Sequence, residues 1–289
     1  MTDNLFSIGH YITSVNIAKG AVRSILEYEL ALKTNPGRFS FLGLWDQAKG
    51  DTELSMSYPS GWDGERTFPS GGCKQDPWAT TGMALYTPTL LEDEQILDLV
   101  NKPSQDLWKY LDEGLEKWLI GDQPVRGAYG ISTEFNIGEE LQTGDPAALD
   151  FMLEQSKQSY NQQLPNALIL SNHGGSFRFG VNKDGPRYDL DTYPKSLSVV
   201  DIEETLSSHY TNGNRLGLLN LNACLMGNIE TVTELAGVAR YILASQNILR
   251  GTAANKFTPL DNFEGCKDIT SQQSVDDASL VLGRQYVEH

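Results

Sequence analysis

The sequence predicts an α/β fold, a mostly parallel central sheet with helices on both faces, in a single domain of 289 residues. Three observations predict it. Short apolar runs of strand length recur at residues 39–45, 167–170, 216–221 and 239–244, nearly unbroken rather than alternating, as expected of parallel strands buried on both faces. Stretches with apolar residues at three- and four-residue steps stand between such runs, so strand and helix alternate along the chain. Hydrophobic residues make up 39% and charged residues 21%, which suits a chain that buries a core and excludes a disordered or fibrous one.

Taken in order, Val15, Ala18, Val22, Ile25, Leu26 and Leu30 lie on one helical face, which predicts a helix over residues 11–33 closed by Asn35-Pro36-Gly37. The first strand follows at residues 39–45. Clusters such as Pro59-Ser60-Gly61 and Pro69-Ser70-Gly71-Gly72 then mark residues 50–89 as a long insertion holding a hairpin, anchored by Trp62 and Trp78. Residues 90–99 and 104–120 read as helices, the second with Leu107, Leu111, Leu115 and Leu119 as a core stripe. Asp145 and Pro146 supply an N-cap and a first-turn proline for a helix that buries Leu149, Met152 and Leu153 and ends near Leu164-Pro165. Beyond it come strand 167–170, helix 199–208, strand 216–221, helix 229–237 and strand 239–244, with no internal repeat and no low-complexity tract.

Charge and cysteine content narrow the function. A net charge of −16 repels nucleic acid and anionic lipid, so neither a nucleic-acid partner nor a membrane surface is expected. Cys73, Cys224 and Cys266 are too few for a disulfide framework and include no CxxC pair; if Cys73 and Cys266 pair, Cys224 remains a free thiol. No apolar run reaches the length of a membrane span, and Met1-Thr2-Asp3-Asn4 lacks the basic-then-apolar start of a signal peptide.

Chemistry concentrates where two strands end. Strand 167–170 runs into Ser171-Asn172-His173-Gly174-Gly175, and strand 216–221 into Asn222-Ala223-Cys224-Leu225-Met226-Gly227. Ligands and reacting groups in open α/β sheets gather beyond the carboxyl ends of the strands. A thiol becomes a strong nucleophile only as thiolate, and the start of the helix after Cys224 favours that form. Gly174 leaves room for a substrate backbone, and its N–H together with that of Cys224 can hold an oxyanion. The plain alternatives are a histidine that satisfies a strand end and a cysteine that fills a core. Gly174, Gly175 and Gly180 make no phosphate loop, since no Gly-Lys-Ser/Thr follows.

The segments NALILSNHGG at 166–175 and NACLMGNIE at 222–230, with Ala244-Ser245 after them, closely resemble the His and Cys motifs of clostripain-like cysteine peptidases. Gly144-Asp145-Pro146 resembles the helix start that precedes the His strand in that family. The resemblance runs from about residue 140 to 247. It implies a caspase-like sheet and a Cys224/His173 dyad that hydrolyses peptide bonds through an acyl-enzyme, with no cofactor required for the chemistry. It further implies peptide or protein substrates, secretion or a periplasmic location, and cleavage after arginine or lysine.

The pocket departs from the family. Asn222 stands where an acidic residue is usual, and Gln246-Asn247 follow Ala-Ser where acidic residues are usual. A buried guanidinium needs a carboxylate, so a pocket of Asn222, Ser245 and Gln246 suits a neutral or polar P1 side chain better. The family's maturation cut implies self-cleavage in the polar stretch carrying Lys183, Arg187 and Lys195, and its calcium dependence makes Asp184, Asp189 and Asp191 candidate oxygen ligands. Thr2-Asp3-Asn4 resembles the tail of the family's opening strand, so a central strand is expected to be missing. The rival reading, drawn from the altered pocket, is a non-catalytic caspase-like module that binds peptides or proteins.

Overall fold

The structure, a computed structural model, describes residues 6–12, 39–47, 82–86, 144–159, 163–172, 174–179, 196–248 and 271–288. Six strands form one sheet in the order β3-β2-β1-β4-β8-β9. They are β1 (Phe6–Ile12), β2 (Phe39–Gln47), β3 (Gly82–Tyr86), β4 (Ala167–Ser171), β8 (Leu216–Asn222) and β9 (Ala239–Ala244). All neighbours pair in parallel except β2 with β3, which run antiparallel at one edge. A small antiparallel sheet of β5 (Gly174–Gly175), β6 (Arg178–Phe179) and β7 (Leu197–Ser198) folds beside it.

Four helices complete the described fold: α1 (Pro146–Ser159), α2 (Val199–His209), α3 (Ile229–Leu235) and α4 (Gln272–Glu288). The starts of α1, α2 and α3 are each closed by a side chain. Asp145 Oδ1 accepts from the Ala147 N–H at 3.1 Å, ahead of Pro146. Ser198 and Asp201 form a reciprocal capping box on α2, and Asn228 Oδ1 accepts from the Thr231 N–H of α3 at 2.8 Å.

The period-two alternation of the strands sorts side chains onto two faces. On one, Tyr11, Leu42, Leu44, Leu168, Leu170, Leu219 and Leu221 pack with Leu149, Met152 and Leu153 of α1 and Ile202 and Leu206 of α2. Fully burying each such side chain contributes about 1.5–3 kcal/mol, so this cluster holds α1 and α2 to the sheet. Phe6, Ile8, Phe41, Ala167, Ile169 and Leu218 are buried outside that cluster, on alternate strand positions. α4 lies against β8: a Cβ on Gly217 would strike Ser279 Oγ and sit 2.8 Å from Val275 Cγ1. Arg240 on β9 holds Asp276 of α4 at 2.8 Å.

The helix expected from residue 11 does not begin there. Tyr11 and Ile12 end strand β1, where Phe6, Ile8 and His10 alternate with Ser7, Gly9 and Tyr11. Phe6–Ile12 thus forms a strand between β2 and β4, downstream of the Asp3-Asn4 pair. Residues such as Ser7, Gly9 and His10 hide a strand because a strand at the centre of a sheet can bury small and hydrogen-bonded polar groups. The remainder of the predicted helix 11–33, the helices at 90–99 and 104–120, Trp62, Trp78, Cys73 and Cys266 lie outside the described residues. Of the 50–89 insertion, β3 is described, an edge strand on β2.

Candidate active site

The parallel register sets Ser171 beside Asn222 and Leu221 beside Ala244, so β4, β8 and β9 end level with one another. Three segments therefore leave the sheet together: 172–179, 223–228 and 245–248. Cys224 stands in the middle one, partly buried. His173 lies outside the described residues, and its neighbours Asn172 and Gly174 show where the segment runs. Asn172 is buried.

The 172–179 and 223–228 segments touch at Gly174. A Cβ there would land on the Cys224 carbonyl oxygen and lie 2.8 Å from Ala223 Cβ and 2.9 Å from Met226 Cγ. Only glycine permits this approach of one main chain to the other. Further along, the Ser176 carbonyl accepts from Asn228 Nδ2 at 3.2 Å and from Thr231 Oγ1 at 2.9 Å. The hairpin that follows the His position is thus pinned to the helix that follows the Cys position.

From its other side the cysteine segment is held by the residues after β9. The Leu225 N–H donates to the Asn247 carbonyl at 3.2 Å and the Gly227 N–H to the Ser245 carbonyl at 2.8 Å. Gly227 is as constrained as Gly174, since a Cβ there would meet Ala244 O, Gln246 N and Ser245 C at 2.9 Å. Leu225, immediately after the thiol, has φ +60°. A left-handed conformation at a residue with a Cβ costs about 1–2 kcal/mol, and the bonds on either side hold it. The chain therefore turns sharply at Cys224 instead of running straight into α3.

Of the pocket residues proposed from sequence, Asn222 ends β8, and its Nδ2 donates to Ser171 Oγ at 3.1 Å. Ser245 starts the segment after β9 and accepts the Asn247 N–H on its hydroxyl at 3.2 Å, and Gln246 beside it is exposed. All three stand at the same sheet edge as Cys224 and Gly174. Lys183, Arg187, Lys195, Asp184, Asp189 and Asp191 lie outside the described residues. Among the described residues no cluster of three His, Cys, Asp or Glu side chains could hold a metal ion, and no helix is long and apolar enough to cross a membrane.

Two residues absent from the sequence expectations reach this edge. Ser171 Oγ meets His10 Nε2 at 2.7 Å, and both residues are buried. Burial pushes the His10 imidazole down from its ordinary 6.5 to about 3, so it is neutral. The signal that could have found it is the phase of β1: with Phe6 and Ile8 facing the core, His10 falls on the same face two steps on, at the carboxyl end.

The clostripain family model matches residues 120–259. The fold is similar to that of a secreted C11 cysteine protease from Bacteroides thetaiotaomicron, solved in complex with an irreversible peptide inhibitor, with a TM-score of 0.54 at 11% identity. That match covers 98% of this chain and 57% of the other, so the chain spans little more than half the length of that protease. A second structure, of the secreted C11 cysteine protease "iotapain" from the same organism, matches with a TM-score of 0.47 at 10% identity over 87% of this chain and 55% of that one. No curated protein matches by sequence. The fold is the caspase-like one, a mostly parallel sheet with helices on both faces.

Proposed function

Because the clostripain family model matches residues 120–259, we propose that the chain is a cysteine endopeptidase of that family, with Cys224 as nucleophile and His173 as its acid/base partner. The observation that carries this reading is the contact at Gly174, where the segment bearing the histidine lies directly on the carbonyl of the cysteine. A packing role for either residue alone would not require the two strand exits to be pressed together at a position that only glycine can fill.

In the proposed reaction His173 takes the thiol proton, and Cys224 Sγ attacks the scissile carbonyl carbon. The N–H groups of Gly174 and Cys224 hold the oxyanion as the tetrahedral adduct forms. His173 then gives the proton to the leaving amine, and a thioester remains. Water, deprotonated by His173, attacks that thioester, releases the acid product and restores the thiol. The step needs no metal or organic cofactor; calcium, where required, would act on folding or maturation rather than on bond cleavage.

Asn222, Ser245 and Gln246 border the site with neutral groups, which supports a neutral or polar P1 residue over arginine or lysine. Kinetics on a panel of reporter peptides with Asn, Gln, Leu, Arg or Lys at P1 tests this. A higher kcat/KM for a neutral residue bears out the pocket, whereas arginyl or lysyl peptides as the best substrates would refute it. Binding of peptides with no turnover by any of them would point to the binding-module reading. The substrates are peptides or proteins, and export from the cell is proposed on the example of the secreted proteases that share the fold.

A further inference from the structure

We propose that His10 is a positioning residue for the cysteine and histidine segments and acts on them through Ser171 and Asn222; this rests on the peptidase reading of Cys224 and His173. The three residues come from three adjacent parallel strands, β1, β4 and β8, and share one sheet face. Ser171 ends β4 and Asn222 ends β8, and the two are register partners. Each stands two residues before a residue of the proposed dyad, so the link between them sets the spacing at which the two segments leave the sheet.

Hydrogen bonds join the three residues into one chain. Asn222 Nδ2 can only donate, and it donates to Ser171 Oγ at 3.1 Å. Ser171 Oγ in turn lies 2.7 Å from His10 Nε2, a bond that a neutral imidazole makes as acceptor in one tautomer and as donor in the other. Burial keeps this imidazole neutral. The ring is itself seated edge-on to Phe41, with centroids 6.4 Å apart and planes at 82°. β1 lies between β2 and β4, so the imidazole is anchored at the centre of the sheet.

An apolar trio in the same place would pack with no desolvation cost, whereas the buried His10 and Ser171 are tolerated only when hydrogen-bonded. What the polar chain adds is direction: a bond 2.7–3.1 Å long fixes the lateral offset of the strand ends more tightly than a contact between methyl groups. Reacting groups are sensitive to that offset, since a misplacement of 1 Å costs about a hundredfold in rate.

The test uses Ser171→Ala, His10→Leu, His10→Gln and the double variant His10→Leu/Ser171→Ala, each with three readouts. These are kcat and KM on the best reporter peptide, the rate of iodoacetamide alkylation of Cys224 followed by mass spectrometry of its own peptide, and the thermal midpoint. Ser171→Ala removes a single hydroxyl and carries the test should His10→Leu fail to fold. In Ser171→Ala and His10→Leu, kcat is expected to fall about tenfold with KM changed by less than about twofold, well short of the hundredfold of a full 1 Å misplacement. His10→Gln, whose amide oxygen can accept the Ser171 proton, is expected to recover most of that loss. The double variant is expected to be no slower than the slower single, as for residues acting through one chain. Losses that multiply in the double variant, or a kcat that stays at the wild-type value while only the thermal midpoint drops, would overturn the proposal. Should the protein hydrolyse no peptide, the peptidase reading falls and alkylation decides for the positioning role: a changed rate at Cys224 in Ser171→Ala supports it, an unchanged rate overturns it.

Discussion

The central strands β1, β4 and β8 are cross-linked at both ends, by different means. At the amino ends one residue serves all three: the Asn166 N–H donates to the Ser7 carbonyl at 2.7 Å, Asn166 Oδ1 accepts the Ser7 N–H at 2.7 Å, and its carbonyl accepts the Gly217 and Leu218 N–H groups at 2.9 and 3.1 Å. These bonds satisfy main-chain groups, which must be paired wherever they are buried. At the carboxyl ends the linkage runs through side chains, from Asn222 to Ser171 to His10, while the main chain is released into the segments that hold Gly174 and Cys224. The entry of the sheet is closed for stability and the exit is set for geometry. Substitutions at the two ends should therefore separate stability from turnover.

The largest effect should come from Gly174→Val. Its side chain would enter the space held by the Cys224 carbonyl, Ala223 and Met226, where two of the groups are main chain or Cβ and cannot rotate away. Overpacking of this kind costs about 1–3 kcal/mol, and a displacement near 1 Å between the segments would lower kcat about a hundredfold or more. Circular dichroism melts and reporter-peptide kinetics on one preparation measure both.

Asn166→Ala tests the other end. It removes the side-chain acceptor of the Ser7 N–H and keeps the main-chain bonds, so a loss of about 1–3 kcal/mol is expected for the orphaned donor. Turnover per folded molecule should match the wild type at temperatures well below the melting transition. A large fall in kcat without a fall in stability would mean that the two ends do not divide the work in this way.

A smaller and more gradual effect concerns acid. The native state holds His10 neutral down to about pH 3, whereas the unfolded chain takes up a proton near the ordinary pKa of 6.5. Its contribution is therefore fully present above pH 6.5 and declines as pH falls from 6.5 towards 3, at up to about 1.4 kcal/mol per pH unit. Urea titrations at pH 7.5 and 5 should show a smaller stability loss for His10→Gln than for wild type, because carboxylate effects common to both cancel. Equal losses would contradict the buried, neutral imidazole.

Most of the carboxyl-terminal half of the sheet was legible in the sequence, because β4, β8 and β9 are short apolar runs and α1 begins with a readable Asp145-Pro146 start. β1 was not. Ser7, Gly9 and His10 interrupt its apolar residues, and the helical spacing that starts at Val15 draws the reading of Tyr11 with it. Its partners explain the choice of residues: Ser7 and His10 are bonded to Asn166 and Ser171, and a Cβ on Gly9 would lie 3.0 Å from Met152 and Pro165. Such pairings join residues more than 140 positions apart, and local pattern carries no trace of them. At the site, the placing of Gly174 and Cys224 just beyond the ends of β4 and β8 was legible in the apolar runs that precede them. The pairing of His10 with Ser171 was not, since a polar residue at the end of a buried strand discloses its partner only once the register is known.

The central claim is that Cys224 is the nucleophile. Its most direct test is to label the full chain and its Cys224→Ala variant with peptide acyloxymethyl ketones bearing Asn, Asp, Leu, Arg or Lys at P1, and to locate the adduct by peptide mass mapping. A single adduct on Cys224, absent from the variant and fastest for a neutral P1 residue, is the predicted result. Equal labelling of the variant, or adducts confined to Cys73 or Cys266, would contradict it.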